Sequence, residues 1–206
     1  MTDIAVPPGA AGPAAAAPPA AVRPDFEIVP RKGLILVAIV IAALIAAIAV
    51  DKQWPLNFLH VFAGAAWTIV DLFLGLLLGP IMGRMSIPAR IEFTTRLMPK
   101  MVLLMPTVVT TTLAAGWQLG HHLGTVNSSS GVHGWLVASY IVVGVMAVIA
   151  LGLLEPANIA VLFELKKPQP NGQIIERLMK RFMYSAGILG LMQVATIVIM
   201  TKVATG

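Results

Sequence analysis

Cysteine is absent from the 206 residues, aromatics make up only 6%, and Asp, Glu, Lys and Arg together only 11%. The missing cysteine excludes disulfides, thiolate metal sites, iron–sulfur clusters, covalently attached c-type haem and cysteine nucleophiles together. It leaves the redox compartment open. The scarcity of charge excludes an ordinary soluble domain, in which about a quarter of residues are charged. Also missing are a nucleotide-binding glycine loop, a nucleophile elbow, an H-E-x-x-H pair and a paired acid and base in a cleft. On these grounds the chain reads as not an enzyme on its own.

What is present is apolar: 58% of residues are hydrophobic and the mean hydropathy is +0.88. That balance predicts an all-α polytopic membrane helix bundle whose principal partner is the lipid bilayer. Residues 1–32 stand apart. They are rich in Ala and Pro, carry seven prolines between Pro7 and Pro30, and have too few large apolar residues to build a core. They read as a disordered cytoplasmic tail and, lacking an early basic region and a continuous apolar run, not as a signal peptide.

Residues 33–206 read as one five-helix transmembrane domain, with spans at about 33–50, 56–82, 101–119, 135–163 and 182–201. The first, at 1.5 Å per residue, is about 27 Å long, close to the hydrocarbon thickness. Between the second and third lies a basic connection with Arg84, Arg90, Arg96 and Lys100, in which Ser86 and Pro88 predict the start of a short surface helix. Pro106 predicts a bend in span three, with Thr107, Thr110, Thr111 and Thr112 available to bond the backbone groups it frees. Span four is about 43 Å long if helical throughout. Glu155, Pro156 and Asn158 interrupt its last third, and there it is expected to kink or leave the membrane.

Charge then fixes an orientation. With five spans, the tail and the connections after spans two and four share one face and hold twelve of the fourteen Lys and Arg; only Lys52 and Lys202 lie on the other. The positive-inside rule puts the N-terminus in the cytoplasm and the C-terminus outside, in a bacterial inner membrane. The sequence pI of about 9.9 is thereby a topology signal that calls for no nucleic acid.

The second span carries the chain's most unusual pattern. His60, Gly64, Trp67, Asp71 and Gly75 follow one another at four, three, four and four residues, on one helical stripe that should face other helices. Gly75 and Gly79 make a small-xxx-small pair that admits close helix approach, either within the chain or to a homo-oligomer or other membrane subunits. All four histidines lie on the outer side by this topology: His60 about one turn inside span two, His121 and His122 closing span three, His133 opening span four. Neutral imidazoles from facing helices build b-type haem, copper and zinc sites, so these four are candidate ligands, with His60 the primary one as haem or metal ligand. The alternative is that His121, His122 and His133 are solvated loop residues and that no cofactor is bound.

Asp71 lies about 21 Å along span two, well inside the hydrocarbon. Thr111 and Gln193 are its expected partners, in either a proton relay or a hydrogen-bonded group that joins helices. Glu155 with Asn158 reads as an interfacial break. The methionines at 82 and 85, at 98, 101 and 105, and at 179 and 183 are spaced for single helix faces. They read as gap-filling core, with a thioether copper(I) path as the alternative.

The run LHVFAGAAWTIVDLF, then GP before a basic loop, then LMPKMVLLMP and TTLAAGW, resembles the copper-resistance D-like membrane proteins. More distantly, it is similar to the membrane protoporphyrinogen oxidase family, in which a comparable helix starts with His and carries a Trp seven residues on. The resemblance covers spans two and three. It implies a haem or copper role for His60, with Trp67 as its packing neighbour. Asp71 has no counterpart in either pattern, and the other histidines do not match one to one. Three functions are therefore carried forward: a b-haem electron-transfer protein, a copper-handling permease, and a non-catalytic structural subunit of a larger membrane complex.

Overall fold

The computed structural model describes residues 26–206, so the first 25 residues of the expected tail lie outside the described residues. Every regular element among the described residues is helical. Five helices are long and apolar enough to cross a membrane: α1 (Arg31–Val50), α2 (Gln53–Arg84), α3 (Ile87–His122), α4 (His133–Leu165) and α5 (Gly172–Thr205). Each runs further than its predicted span. α1 takes in Arg31 and Lys32, which the sequence assigned to the tail. The basic connections are the larger correction. The helix that starts after Ser86 does not stop as a short surface element but continues unbroken across Pro99 and Pro106 to His122.

α3 and α5 have 36 and 34 residues, about 54 and 51 Å, against a hydrocarbon core of about 30 Å. Both exceed that length, with Arg90 in the first turn of α3 and Arg177, Lys180 and Arg181 in the second and third turns of α5. α5 begins on Asn171, whose Oδ1 accepts from the backbone nitrogens of Gln173 and Ile174.

Two helices contain a wide π turn, Phe73–Leu78 in α2 and Ala150–Leu154 in α4. The local sequences are alike: LGLLLGP runs from Leu74 to Pro80 and LGLLEP from Leu151 to Pro156. In each case the proline follows the π turn by two residues. Its ring cannot donate to the carbonyl four residues back, Leu76 or Gly152, and crowds it, so the preceding turn widens. The irregularity expected near Glu155 is thus a π turn just before it, and the helix continues to Leu165 instead of leaving the bundle.

α2, α3, α4 and α5 close a ring around the core, and α1 packs outside it, chiefly on α3. α1 buries only Leu44 and Ala47 and offers the rest of its apolar surface outward. The methionines from α2, α3 and α5 are interior: Met82, Met98, Met101, Met105, Met179 and Met183 belong to one buried cluster with Trp67, Leu74 and Phe182. Unbranched thioethers fill the uneven space between crossing helices.

The ends of the bundle are chemically distinct. Phe26 lies under the Lys166 ammonium at 4.9 Å, the Arg90 guanidinium pairs with Glu176 at 3.5 Å, and Gly172 adjoins Ile87. The segment before α1 and the connections after α2 and α4 therefore meet at one end. Trp54, Trp117 and Trp135 lie toward the other and are exposed.

Candidate functional site

α1 and α2 are joined by Asp51 and Lys52 alone. Asp51 takes a left-handed backbone conformation at φ 47°, which a short polar side chain tolerates better than most. Its carboxylate reaches α3, where Gln118 Nε2 donates to Asp51 Oδ1 at 3.0 Å and His122 Nδ1 lies 3.5 Å from the same oxygen. The Gln118 hydrogen bond first, then the adjacent His122, hold the Asp51 carboxyl below its ordinary range against the opposing effect of burial. This clasp fixes the start of α2 against the end of α3.

Two turns into α2, His60 Nδ1 lies 2.9 Å from the Thr112 backbone carbonyl. A carbonyl oxygen only accepts, so Nδ1 carries the proton and, in the neutral ring, the lone pair is on Nε2. The ring fits because residue 116 is glycine: a Cβ there would stand 2.6 Å from His60 Cε1 and Nδ1. One turn deeper, Gly64 adjoins the Thr112 side chain, whose hydroxyl donates to Val108 O at 2.7 Å. Among the described residues no hydrogen bond engages Nε2, and the ring is half-buried.

The other histidines do not join His60. His121 packs against Trp117, ring centroids 4.9 Å apart, and Trp117 against Tyr140 at 5.5 Å. His122 belongs to the Asp51 clasp. His133 opens α4, with its Nδ1 buried and unpartnered among the described residues. His121 and His122 are five and six residues past Gly116, about 8–9 Å along the axis. Among the described residues no three His, Asp or Glu side chains gather into a metal-binding group.

Asp71 and Gln193 are brought together, Gln193 Nε2 donating to Asp71 Oδ2 at 2.9 Å in a fully buried contact. Asp71 Oδ1, Gln193 Oε1 and the indole Nε1 of Trp67, one turn before Asp71, are buried without partners among the described residues. Thr111 is not part of this group. The antiparallel register set by His60 with Gly116 and Gly64 with Thr112 puts Asp71 level with Met105, about 9 Å from Thr111 along the helix. Thr111 is buried with its hydroxyl unpartnered. Of the four threonines near Pro106, two bond backward, Thr107 to Leu103 O at 2.6 Å and Thr112 to Val108 O at 2.7 Å.

Glu155 borders a small cavity of about 10 Å³ with Met105, Pro106 and Phe182, inside the bundle and not at a break in the helix. Asn158, one turn on, is fully buried with neither side-chain polar atom partnered among the described residues.

What sequence reasoning missed is the glycines on the receiving helices. Gly116 makes room for His60, Gly120 for the Tyr140 hydroxyl, Gly187 for Gly75, and Gly190 for Leu72. The GxxxG spacing of Gly116 and Gly120 was a visible signal for two of them. Comparison of the chain with protein-family models, with curated proteins and with solved structures gives no match in any of the three.

Proposed function

We propose that the chain is a multi-pass protein of the bacterial inner membrane that carries b-type haem on His60, near the outer leaflet, for electron transfer or haem-linked redox chemistry. The N-terminus is cytoplasmic and the C-terminus outside. Supporting the orientation is the gathering of twelve of fourteen Lys and Arg in the tail and in connections that meet at one end of the bundle. Supporting the haem assignment is one observation above all, the Nδ1–H···O=C hydrogen bond from His60 to Thr112. Metal-ligating histidines almost always anchor their second nitrogen in this way, which fixes the tautomer and makes the ligating nitrogen more basic.

His60 Nε2 would bind the iron, with Thr112 O holding the ring and Gly116 giving the ring its place. His121, His122 and His133 have other surroundings, so any second protein ligand would come from outside these four histidines. When bound, haem supplies one-electron transfer. The resemblance to copper-resistance D-like and protoporphyrinogen oxidase sequences implies haem or copper on this same residue.

A structural-subunit reading is favoured by a different observation: the Gly75–Gly187 contact and the Asp71–Gln193 pair need no ligand to account for them. One experiment separates the readings. The protein is purified in mild detergent from cells supplied with haem precursor and copper, and its dithionite-reduced spectrum and metal content are measured. A Soret and α band lost in His60→Ala but kept in His133→Ala supports haem on His60. Stoichiometric copper without a Soret band moves the assignment to copper handling, and a colourless, metal-free sample leaves the structural role.

A further inference from the structure

Beyond the Gly75–Gly187 contact, toward the basic end, α2 and α5 diverge. Between them and the start of α3 lies a pocket of about 360 Å³. Gly79, Gly83 and Met183 give it an apolar lining, and Arg90, Glu176 and Lys180 give it charge. Glu176 answers both cations, at 3.5 Å from Arg90 Nη1 and 2.8 Å from Lys180 Nζ. Two cations against one carboxylate leave the mouth one positive charge in excess. The Arg90 Nε is buried and has no partner among the described residues, so a donor is left for an acceptor that those residues do not supply. Tyr184, which lines the same pocket, is 74% exposed, as expected of an aromatic at a membrane interface.

We infer that this pocket binds an anionic phospholipid, its phosphodiester on Arg90 and Lys180 and one acyl chain along the glycine face of α2. An apolar groove that ends in excess positive charge at the level where helices leave the hydrocarbon matches an amphiphile with one anionic head and an apolar tail. The glycines are what make the groove: a Cβ on Gly83 would meet nothing within 4 Å, so its space is open. Glu176 keeps the two cations in position when no lipid is bound, and the positive charge left over favours headgroups that bring net negative charge. The inference depends on the chain lying in a membrane and not on whether His60 binds haem.

Native mass spectrometry of the detergent-solubilised protein tests it, with dioleoyl phosphatidylglycerol and dioleoyl phosphatidylcholine offered at equal mole fraction. Wild type is expected to retain phosphatidylglycerol in preference. Arg90→Gln and Lys180→Gln are each expected to lower that affinity about fivefold, the effect of one interfacial cation. Gly83→Leu is expected to lower it too, with helical circular dichroism and gel-filtration elution unchanged, because a Cβ at this position meets nothing within 4 Å and the longer side chain occupies the groove. Lys52→Gln, at the opposite end, is expected to change nothing. Equal retention of the two lipids by wild type overturns the assignment. So does an unchanged affinity in both Lys180→Gln and Gly83→Leu, or a loss in Lys52→Gln as large as in Lys180→Gln. Millimolar inorganic phosphate is expected not to displace the lipid; full displacement overturns the lipid assignment in favour of a bare anion site.

Discussion

Gly75 on α2 and Gly187 on α5 meet backbone to backbone: a Cβ on Gly75 would stand 2.2 Å from the Gly187 Cα and 2.5 Å from its nitrogen. No side chain lies between the helices at this point, so neither can yield by a rotamer change. The reverse contact is looser, a Cβ on Gly187 coming 3.3 Å from the Gly75 Cα. The crossing brings Asp71 to Gln193 on one side and opens the basic pocket on the other. Gly75→Ala is therefore expected to destabilise the protein by about 1–3 kcal/mol or more, and Gly187→Ala by less. Gly144→Ala, where a Cβ meets nothing within 4 Å, should be near neutral. Thermal inactivation in detergent, followed by gel filtration, ranks the three. An equal effect at Gly75 and Gly144 would show that the close crossing is not formed.

His60 shares its space with Gly116. Gly116→Ala puts a methyl group 2.6 Å from the imidazole and forces the ring away from Thr112, with the loss of one hydrogen bond, about 0.5–1.5 kcal/mol. If His60 is a haem ligand, the Soret band should weaken or shift in Gly116→Ala while the helical content stays constant. A spectrum identical to wild type, in a protein that binds haem, would detach the cofactor from this ring.

The buried pair of Asp71 and Gln193 separates two roles. Asp71→Leu strands the Gln193 amide and is expected to destabilise by about 1–3 kcal/mol. Removing both groups in Asp71→Leu with Gln193→Leu should recover part of that, with a coupling of about 0.6–1.7 kcal/mol, the range for hydrogen bonds between membrane helices. Asp71→Asn retains an acceptor for Gln193 and should be nearly as stable as wild type. If Asp71 also passes protons, Asp71→Asn abolishes proton flux in reconstituted vesicles at unchanged stability. Unchanged flux would leave it a joining group alone.

Asp51 gives the helix ends a pH dependence with a definite sign. Its carboxyl is held below the ordinary value of 3.8 in the folded protein, first by Gln118. The folded state thus favours the ionised form. That contribution is complete above the unfolded value, near 3.8, and disappears as pH falls through the lower folded value. The difference in melting temperature between wild type and Asp51→Asn, a substitution that keeps the left-handed turn, should be constant from pH 7 to about pH 5. It should shrink as the pH falls below 3.8. A difference that does not fall with further acidification would place the effect elsewhere.

Much of this architecture is legible in the chain before any coordinates. Long apolar runs have only one way to satisfy their backbone in lipid, so five of them mean five helices. Scarcity of charge makes each Lys and Arg informative about sidedness. Helix ends are less legible, because a basic segment such as Arg84 to Lys100 is too polar to read as span yet is helical from Ile87 onward, with Arg90 paired to Glu176 of α5. Asp71 could be flagged from its depth alone, and Gln193 emerged as a partner by counting residues. Thr111 failed that same count because the register between α2 and α3 is set by glycines that admit His60, not by equal distances from loop ends.

The sequence by itself determined the all-helical class, the number of helices long and apolar enough to cross a membrane and the uneven placing of charge along the chain, all of which follow from hydropathy and charge. Only the tertiary structure decided which helices touch and at what register, because that depends on where a backbone without a Cβ meets a side chain that needs room. It decided that His60 is anchored through Nδ1 to Thr112, that the four histidines do not converge, and that Gly75 packs against Gly187 within the chain. Periodicity can say which face of a helix is special. The shape of the neighbouring helix selects what that face meets.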